Sequence, residues 1–146
     1  MAGRLIGIAR AAELGAPLVE VETASLTEER GIEGDARGRK ANRQVTVLFR
    51  EGWNDACRDV GAALPWVARR ANLLVEGIER PRAAGGRLRI GITILEVTQE
   101  TKPCHLMERA QAGLLKALTP DWRGGVCCRV IGGGEIRQGD AVDFVP

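Results

Sequence analysis

A lone cysteine, Cys104, stands in the stretch ITILEVTQETKPCHLM (residues 92–107), directly beside the chain's one histidine, His105. A thiol works as a nucleophile or soft-metal ligand only as the thiolate, a form that a nearby cation such as Lys102 favours. Pro103 keeps Lys102 out of the helical region, so Cys104 is expected on a fixed, non-helical corner. A helix over residues 106–118 would place Cys104 just before its N-terminus, where the helix dipole favours an anion. A free cysteine is more usually a small buried filler, and the local residues leave both readings open.

The elements around this corner follow from periodicity. Ile92, Ile94, Leu95 and Val97, interleaved with Thr93, Glu96 and Thr98, predict a strand with one buried face that delivers Cys104. Residues 4–9 and 18–22 predict two further strands, with Gly15 and Pro17 breaking the chain between them. QVTVLF (44–49) is β-branched enough for a buried strand. Residues 51–60 then predict an amphipathic helix ended by Gly61, with Trp53, Ala56, Cys57 and Val60 inward, which explains Cys57 as core. Residues 71–76 contain the apolar run Leu73, Leu74 and Val75, of strand length, with Arg70 and Asn72 at its mouth. Those two suit an anionic or amide-bearing ligand, or simply surface capping. The basic stretch Arg37-Gly38-Arg39-Lys40-Ala41-Asn42-Arg43 reads on composition as a solvated surface loop.

GGRLRIGITILEV (from Gly85) echoes GGEIRQGDAVDFV (from Gly133). Each gives a turn, a strand, a glycine corner and another strand, which shared turn chemistry explains as well as duplication does. In residues 106–118 the spacing of Leu106, Ala110, Leu114 and Leu118, widened by Met107 and Leu115, predicts one continuous helix stopped by Pro120. Residues 126–131 predict a strand on which Cys127 and Cys128 face opposite sides, one in the core and the other exposed. Many short strands between glycine turns, with few helices, predict a mainly β, mostly antiparallel β-barrel with two or more short helices, in one domain over residues 1–146.

Composition narrows the function. A net charge of +2 with 27% charged residues is too even for non-specific nucleic-acid binding. Aromatics at 3%, with no tyrosine, leave no base-stacking platform. No apolar run approaches the length of a membrane span, and the charged start does not read as a signal peptide, so a cytoplasmic protein is expected, with neither nucleic acid nor membrane as partner. Four cysteines without a C-x-x-C pair read as reduced thiols rather than as a disulfide framework or a structural zinc site.

Gly31-Ile32-Glu33-Gly34-Asp35, Arg43-Gln44-Val45, Arg70-Ala71-Asn72-Leu73-Leu74 with Glu76-Gly77-Ile78, Ile90-Gly91, Lys102-Pro103-Cys104, Arg123-Gly124-Gly125-Val126 and Gly139-Asp140 occur in an order and spacing that resembles the molybdenum cofactor sulfurase C-terminal (MOSC) domain family, in its small stand-alone bacterial form. The resemblance implies a pyruvate-kinase-barrel-like fold. It also implies a molybdopterin-type molybdenum cofactor, with Cys104 as metal ligand or sulfur carrier. Arg43, Arg70, Asn72, Lys102, Arg123 and Gly124 would lie near the pterin or its phosphate. Ala36-Arg37 follow Gly34-Asp35 where many relatives carry a histidine, and Met107 stands where some carry a second cysteine. The pyridoxal-phosphate half of the sulfurases is not expected in this chain.

Three functions follow. The first is molybdenum-dependent reduction of N-hydroxylated compounds, such as hydroxylamino-purines, with electrons from a separate donor protein and redox chemistry that belongs to the cofactor. The second is a non-enzymatic carrier that holds the cofactor, or a Cys104 persulfide supplied by a cysteine desulfurase or sulfurase partner. The third is a structural or interaction barrel, because fold alone does not fix function.

Overall fold

Glycine and proline punctuation cuts the chain into short strands, and the computed structural model, which describes residues 2–38 and 40–146, closes most of them into a barrel. Arg39 of the basic stretch lies outside the described residues. The strands are β1 (Gly3–Arg10), β2 (Val19–Glu20), β3 (Thr23–Thr27), β4 (Gly31–Ile32), β5 (Val45–Phe49), β6 (Leu73–Glu76), β7 (Arg87–Ile90), β8 (Thr93–Glu100), β9 (Val126–Gly132), β10 (Gly134–Arg137) and β11 (Ala141–Val145). The barrel order is β11-β7-β8-β9-β5-β6-β1, and β1 closes the ring on β11. The expected strand over residues 18–22 shrinks to the two residues of β2, an edge on β1.

Seven strands in a ring cannot all alternate in direction, so one neighbouring pair must run parallel. That pair is β5–β6, with Val47 beside Leu73 and Phe49 beside Val75. A parallel pair needs a crossover rather than a tight turn. Helix α1 (Arg50–Val60) and the 3₁₀ turn Trp66–Arg69 supply it, and its last residues are set down at the mouth of β6.

The barrel has two apolar sides. Its interior packs Leu5, Ile8, Val45, Val47, Phe49, Leu73, Val75, Leu95, Val126 and Cys128, and the small sheet β10-β3-β4 adds Ala24, Leu26, Ile32 and Ile136 to this cluster. On the outer face of β5 and β6, Leu48 and Leu74 meet Trp53, Ala56 and Cys57 of α1 together with Met107, Leu114 and Leu118. This double coverage explains why β5 is buried at every position and reads as a continuous apolar run rather than an alternating one. Cys57 is core, as the helical periodicity predicts.

Two expectations are corrected here. The helix over residues 106–118 is instead two, α2 (His105–Ala110) and α3 (Leu114–Leu118), because Gly113 adopts φ +88° between them. Only the stripe members Met107, Leu114 and Leu118 are fully buried, while Leu106 is 42% exposed. Cys127 and Cys128 do face opposite sides, yet neither is exposed, because the outer face of β9 is covered at Cys127, where Thr101 packs on it, although Arg129 further along that face is exposed. The echoed segments also differ in use: β7 and β8 pair with each other, whereas β10 belongs to the small sheet and β11 to the barrel. What the echo shares is a positive-φ glycine corner, Gly91 at +57° and Gly139 at +100°. Among the described residues no helix is long and apolar enough to cross a membrane.

Candidate functional site

Where the helical layer stops short of covering the outer face of β5, a cleft of about 240 Å³ remains. Its floor is the start of β5, and the crossover, the end of β8, the turn before β9 and α2 form its walls. These supply Thr46 from β5, Arg69, Arg70 and Ala71 from the crossover, Thr101, Lys102 and Cys104 after β8, Gly124 before β9, and Leu106 and Met107 from α2. The loop before β5 adds Arg37 and Arg43. Five cations therefore converge on one thiol, and no Asp or Glu lines the cleft among the described residues. In a chain of net charge +2 such segregation is a local field, and it favours an anionic ligand.

Cys104 is exposed and carries extended backbone angles (φ −126°) immediately before α2, on the corner that Pro103 predicts. With α2 only six residues long, the expected dipole contribution loses its basis. The charge around the sulfur comes from side chains instead.

Arg69 is the most constrained of them. It is 7% exposed, its Nε donates to the Gly124 carbonyl at 3.1 Å, and its Nη2 donates to the Thr101 carbonyl at 2.8 Å. It has no carboxylate partner among the described residues. Burial pulls the Arg69 guanidinium down to about 10, against the opposing attraction of the Cys104 sulfur. Arg70 follows in the left-handed region (φ 65°), rare for a non-glycine residue. The conformation is held at both ends: Arg37 Nη1 donates to the Arg70 carbonyl at 2.7 Å, and Arg70 Nη2 donates to the Ala16 carbonyl at 3.1 Å. Arg37 is in turn anchored by the buried Asp35, whose Oδ1 accepts from Arg37 Nε at 3.3 Å and from the Ala11 N–H at 2.9 Å. Burial lowers the Arg37 guanidinium as well, with Asp35 opposing.

The residues singled out in the sequence divide accordingly. Cys104, Arg43, Arg70, Lys102 and Gly124 all line the cleft. Asn72 does not: its Oδ1 accepts from the Thr46 N–H and its Nδ2 donates to the Ala9 carbonyl, both at 3.1 Å, so it ties β1, β5 and β6 together beneath the site. Arg123 also points elsewhere, with Nη1 donating to Asp59 at 2.7 Å and to the Ala117 carbonyl at 3.1 Å. Gly124 is required for packing, because a Cβ there would stand 2.5 Å from the Thr101 carbonyl oxygen and 3.1 Å from Arg69 Nη2.

Sequence reasoning missed Arg37, Arg69, Thr46 and Thr101. Arg37 sits in a stretch whose composition reads as solvated, and the side chain is in fact only 25% exposed. Arg69 had one usable signal, its place beside Arg70 ahead of an apolar run. Cys127 lies under this wall, its Sγ 3.2 Å from Thr101 Oγ1, and is sealed from solvent. A larger hollow of about 630 Å³ runs along Leu26, Glu28, Glu29 and Glu33, but its acidic lining and lack of a thiol suit it poorly to an anion or a soft metal.

The MOSC domain family model matches residues 33–143. Among solved structures, the YuaD protein from Bacillus subtilis is similar over 99% of this chain and 96% of its own, with a TM-score of 0.82 and 19% identity. YiiM from Escherichia coli is similar over 98% of this chain and 70% of its own (TM-score 0.71, 20% identity), and YiiM from Geobacillus stearothermophilus over 99% and 73% (TM-score 0.70, 18% identity). No curated protein matches the sequence.

Proposed function

Because the chain belongs to the MOSC domain family, a family associated in general with the molybdenum cofactor, we propose that the Cys104 cleft holds a molybdopterin-type cofactor through its phosphate and its metal. The observation that carries this reading is the convergence of Arg37, Arg43, Arg69, Arg70 and Lys102, without a lining carboxylate, on an exposed thiol. The donor set fits such a group. Forked and point cations suit a phosphate tail, and a thiolate suits a soft transition metal. Arg37 contributes charge from behind, since its guanidinium is ion-paired with Asp35 at 3.3 Å and donates to the Arg70 carbonyl. No cluster of three or more His, Cys, Asp or Glu exists among the described residues, so the protein's share of the metal's ligands would be the Cys104 sulfur.

When bound, the cofactor supplies two-electron redox chemistry at the metal. The proposed reaction is reduction of an N-hydroxylated compound: R–NHOH takes up two electrons and two protons, its N–O bond breaks, and R–NH₂ and water leave. The electrons come from a separate reduced donor protein, and bulk water reaches the open cleft to supply the protons. Arg43, Arg70 and Lys102 hold the phosphate, Arg69 adds positive charge from behind the sulfur, and Leu106 with Met107 shields one side from water. Asn72 and the Asp35–Arg37 pair act at one remove, by fixing the backbone that presents Arg69 and Arg70. A cytosolic setting, where thiols stay reduced, suits this use of Cys104.

Exposure of Cys104 favours a second reading, a sulfur carrier. There the Cys104 sulfur attacks the outer sulfur of a desulfurase persulfide, a new S–S bond forms, and the donor leaves as thiolate. One experiment separates the two. The protein and its Cys104→Ser variant are purified from a host that makes molybdenum cofactor, and metal, pterin and persulfide are measured together with hydroxylamine reduction by an artificial electron donor. Stoichiometric molybdenum lost in Cys104→Ser, with turnover, supports the reductase. Persulfide without turnover supports the carrier, and indifference to Cys104 in every assay sinks both.

A further inference from the structure

The turn that leads into Gly124 contains two of the three non-glycine residues with positive φ among the described residues, Asp121 at 57° and Trp122 at 54°. An aspartate visits the left-handed region at modest cost, whereas a tryptophan does not. Two such residues in succession persist only where their surroundings hold them.

Two arginines supply the hold. Arg80 Nε donates to the Asp121 carbonyl at 2.7 Å and its Nη2 to Asp121 Oδ2 at 2.8 Å. Arg82 closes a fork on the same carboxylate, with Nε to Oδ1 at 2.6 Å and Nη2 to Oδ2 at 3.1 Å. An isolated surface ion pair is worth little, but a forked pair inside a network is the exception, and the Arg80 side chain is only 10% exposed. Hydrogen bonds from Arg82, with the charge of both guanidiniums, pull the Asp121 carboxyl down to about 2, so the grip is charged at neutral pH.

From this grip the turn runs directly into the wall of the cleft. Trp122 packs on the barrel interior, and its carbonyl accepts from the Gly125 N–H at 3.1 Å. The Gly125 carbonyl accepts in turn from the Thr101 N–H at 2.9 Å. Gly124 and Thr101 are the residues whose carbonyls fix the Arg69 guanidinium, so both of its acceptors are oriented by this turn. Asp121, Arg80 and Arg82 themselves do not line the cleft.

We propose that Asp121, gripped by Arg80 and Arg82, is a positioning residue for the anion site: it holds the turn in its left-handed form and thereby fixes where Arg69 places its charge. The inference rests on the Cys104 cleft being an anion site.

Asp121→Gly separates this role from a merely structural one, because it removes the grip and, since glycine takes positive φ freely, relieves part of the strain as well. The test is calorimetric titration of the full chain with pyrophosphate for wild type, Asp121→Asn, Asp121→Gly, Arg69→Met and the double variant, with circular dichroism to confirm folding. Asp121→Gly should bind about fivefold more weakly, a smaller loss than deletion of the Arg69 charge, because the charge is displaced rather than removed. Asp121→Asn keeps an acceptor for the arginines and tolerates the left-handed region, so it should recover part of the affinity. In the Arg69→Met background Asp121→Gly should have no further effect, since two residues that act through one group are not additive, whereas general loosening would weaken both backgrounds alike. Hydrogen exchange at the Thr101 amide should quicken in Asp121→Gly, as expected when its turn is released. Arg58→Gln, which breaks an exposed pair with Asp55 within α1, should change none of these. If Asp121→Gly does not fold, Arg82→Gln, which removes the fork and leaves both Arg80 contacts, takes its place with the same expectations. Unchanged affinity in the folded variants, or an equal loss with and without Arg69, overturns the inference alone. A wild type that does not bind pyrophosphate overturns the anion-site reading, and the inference with it.

Discussion

Replacing Arg69 by methionine separates the work this residue does for a ligand from the work it does for the fold. A bound anion compensates a buried, unpaired guanidinium, whereas in the free protein that guanidinium is held only by the carbonyls of Gly124 and Thr101. Two hydrogen bonds from a charged donor contribute about 1.5–3 kcal/mol each, or about 3–6 kcal/mol together. Against this stands the burial of the charge. The fall from 12.5 to about 10 corresponds to about 3 kcal/mol against the charged form. The difference leaves Arg69 a net stabiliser by about 0–3 kcal/mol. A methionine of similar length removes the charge and keeps much of the packing, so Arg69→Met should lower the melting temperature by no more than about 12 °C, at the 2–4 °C per kcal/mol typical of this size. Pyrophosphate, the plainest probe of the anion site, should bind at least about tenfold more weakly, because a positive charge worth about 1.5 kcal/mol or more of Coulomb attraction to the anion is gone. Calorimetric titration of both proteins, with thermal unfolding alongside, reads the two effects separately. A folded Arg69→Met protein that binds pyrophosphate as tightly as wild type would refute the cation-cleft argument. A failure to fold would show that the two carbonyl contacts outweigh the desolvation far more than this arithmetic allows.

Three further outcomes follow from the same geometry. Asn72→Ala leaves the Thr46 N–H and the Ala9 carbonyl unpaired beneath the cleft and should cost about 2–4 kcal/mol in urea unfolding. Cys57→Ala removes a buried atom from the cluster under α1 and should cost about 1 kcal/mol while cofactor content stays at the wild-type level; loss of cofactor from the folded variant would contradict its placement away from the site. Burial pushes the Cys128 thiol far up, with Cys127 adding to it, so the folded state keeps a proton that the unfolded chain gives up. Stability from this group is present at neutral pH and should fall by about 1.4 kcal/mol per pH unit as pH rises above about 9. Unfolding of Cys128→Val measured across pH 8–11 should lack that component of the slope.

The barrel was legible because its strands carry local signatures: glycine corners at Gly91 and Gly139, apolar runs at β5 and β6, and an amphipathic α1 ended at Gly61, where φ is +71°. The helix over residues 106–118 was misread because its four-residue repeat survives across a break that only the backbone of Gly113 reveals. Leu106 was assigned to the core for the same reason. The second cysteine of the β9 pair was expected at the surface because alternation tells which residues face opposite sides, but not whether both sides are covered. Cys104 was legible for a different reason, since Pro103 fixes its corner and the family pattern marks it out.

The cations were only half legible, and the reason lies in the ring's parity. Arg43 opens β5 and Arg70 opens β6, and the two strands are neighbours only because an odd-membered barrel must contain one parallel pair. A parallel pair places both strand beginnings at the same end, so residues 27 positions apart arrive side by side, and the crossover between them lands Arg69 against the end of β8. Nothing in the spacing of Arg37, Arg43, Arg69, Arg70 and Lys102 announces this, because they stand in three separate connections, the first of which reads on composition as solvated. Convergence is then a property of closure. A change that disturbs the β5–β6 register should scatter the cations before it exposes the interior. The buried Asn72, which bridges Thr46 and Ala9 across that register, is therefore the position at which anion affinity and barrel stability should fall together, whereas at Arg69 they should fall apart.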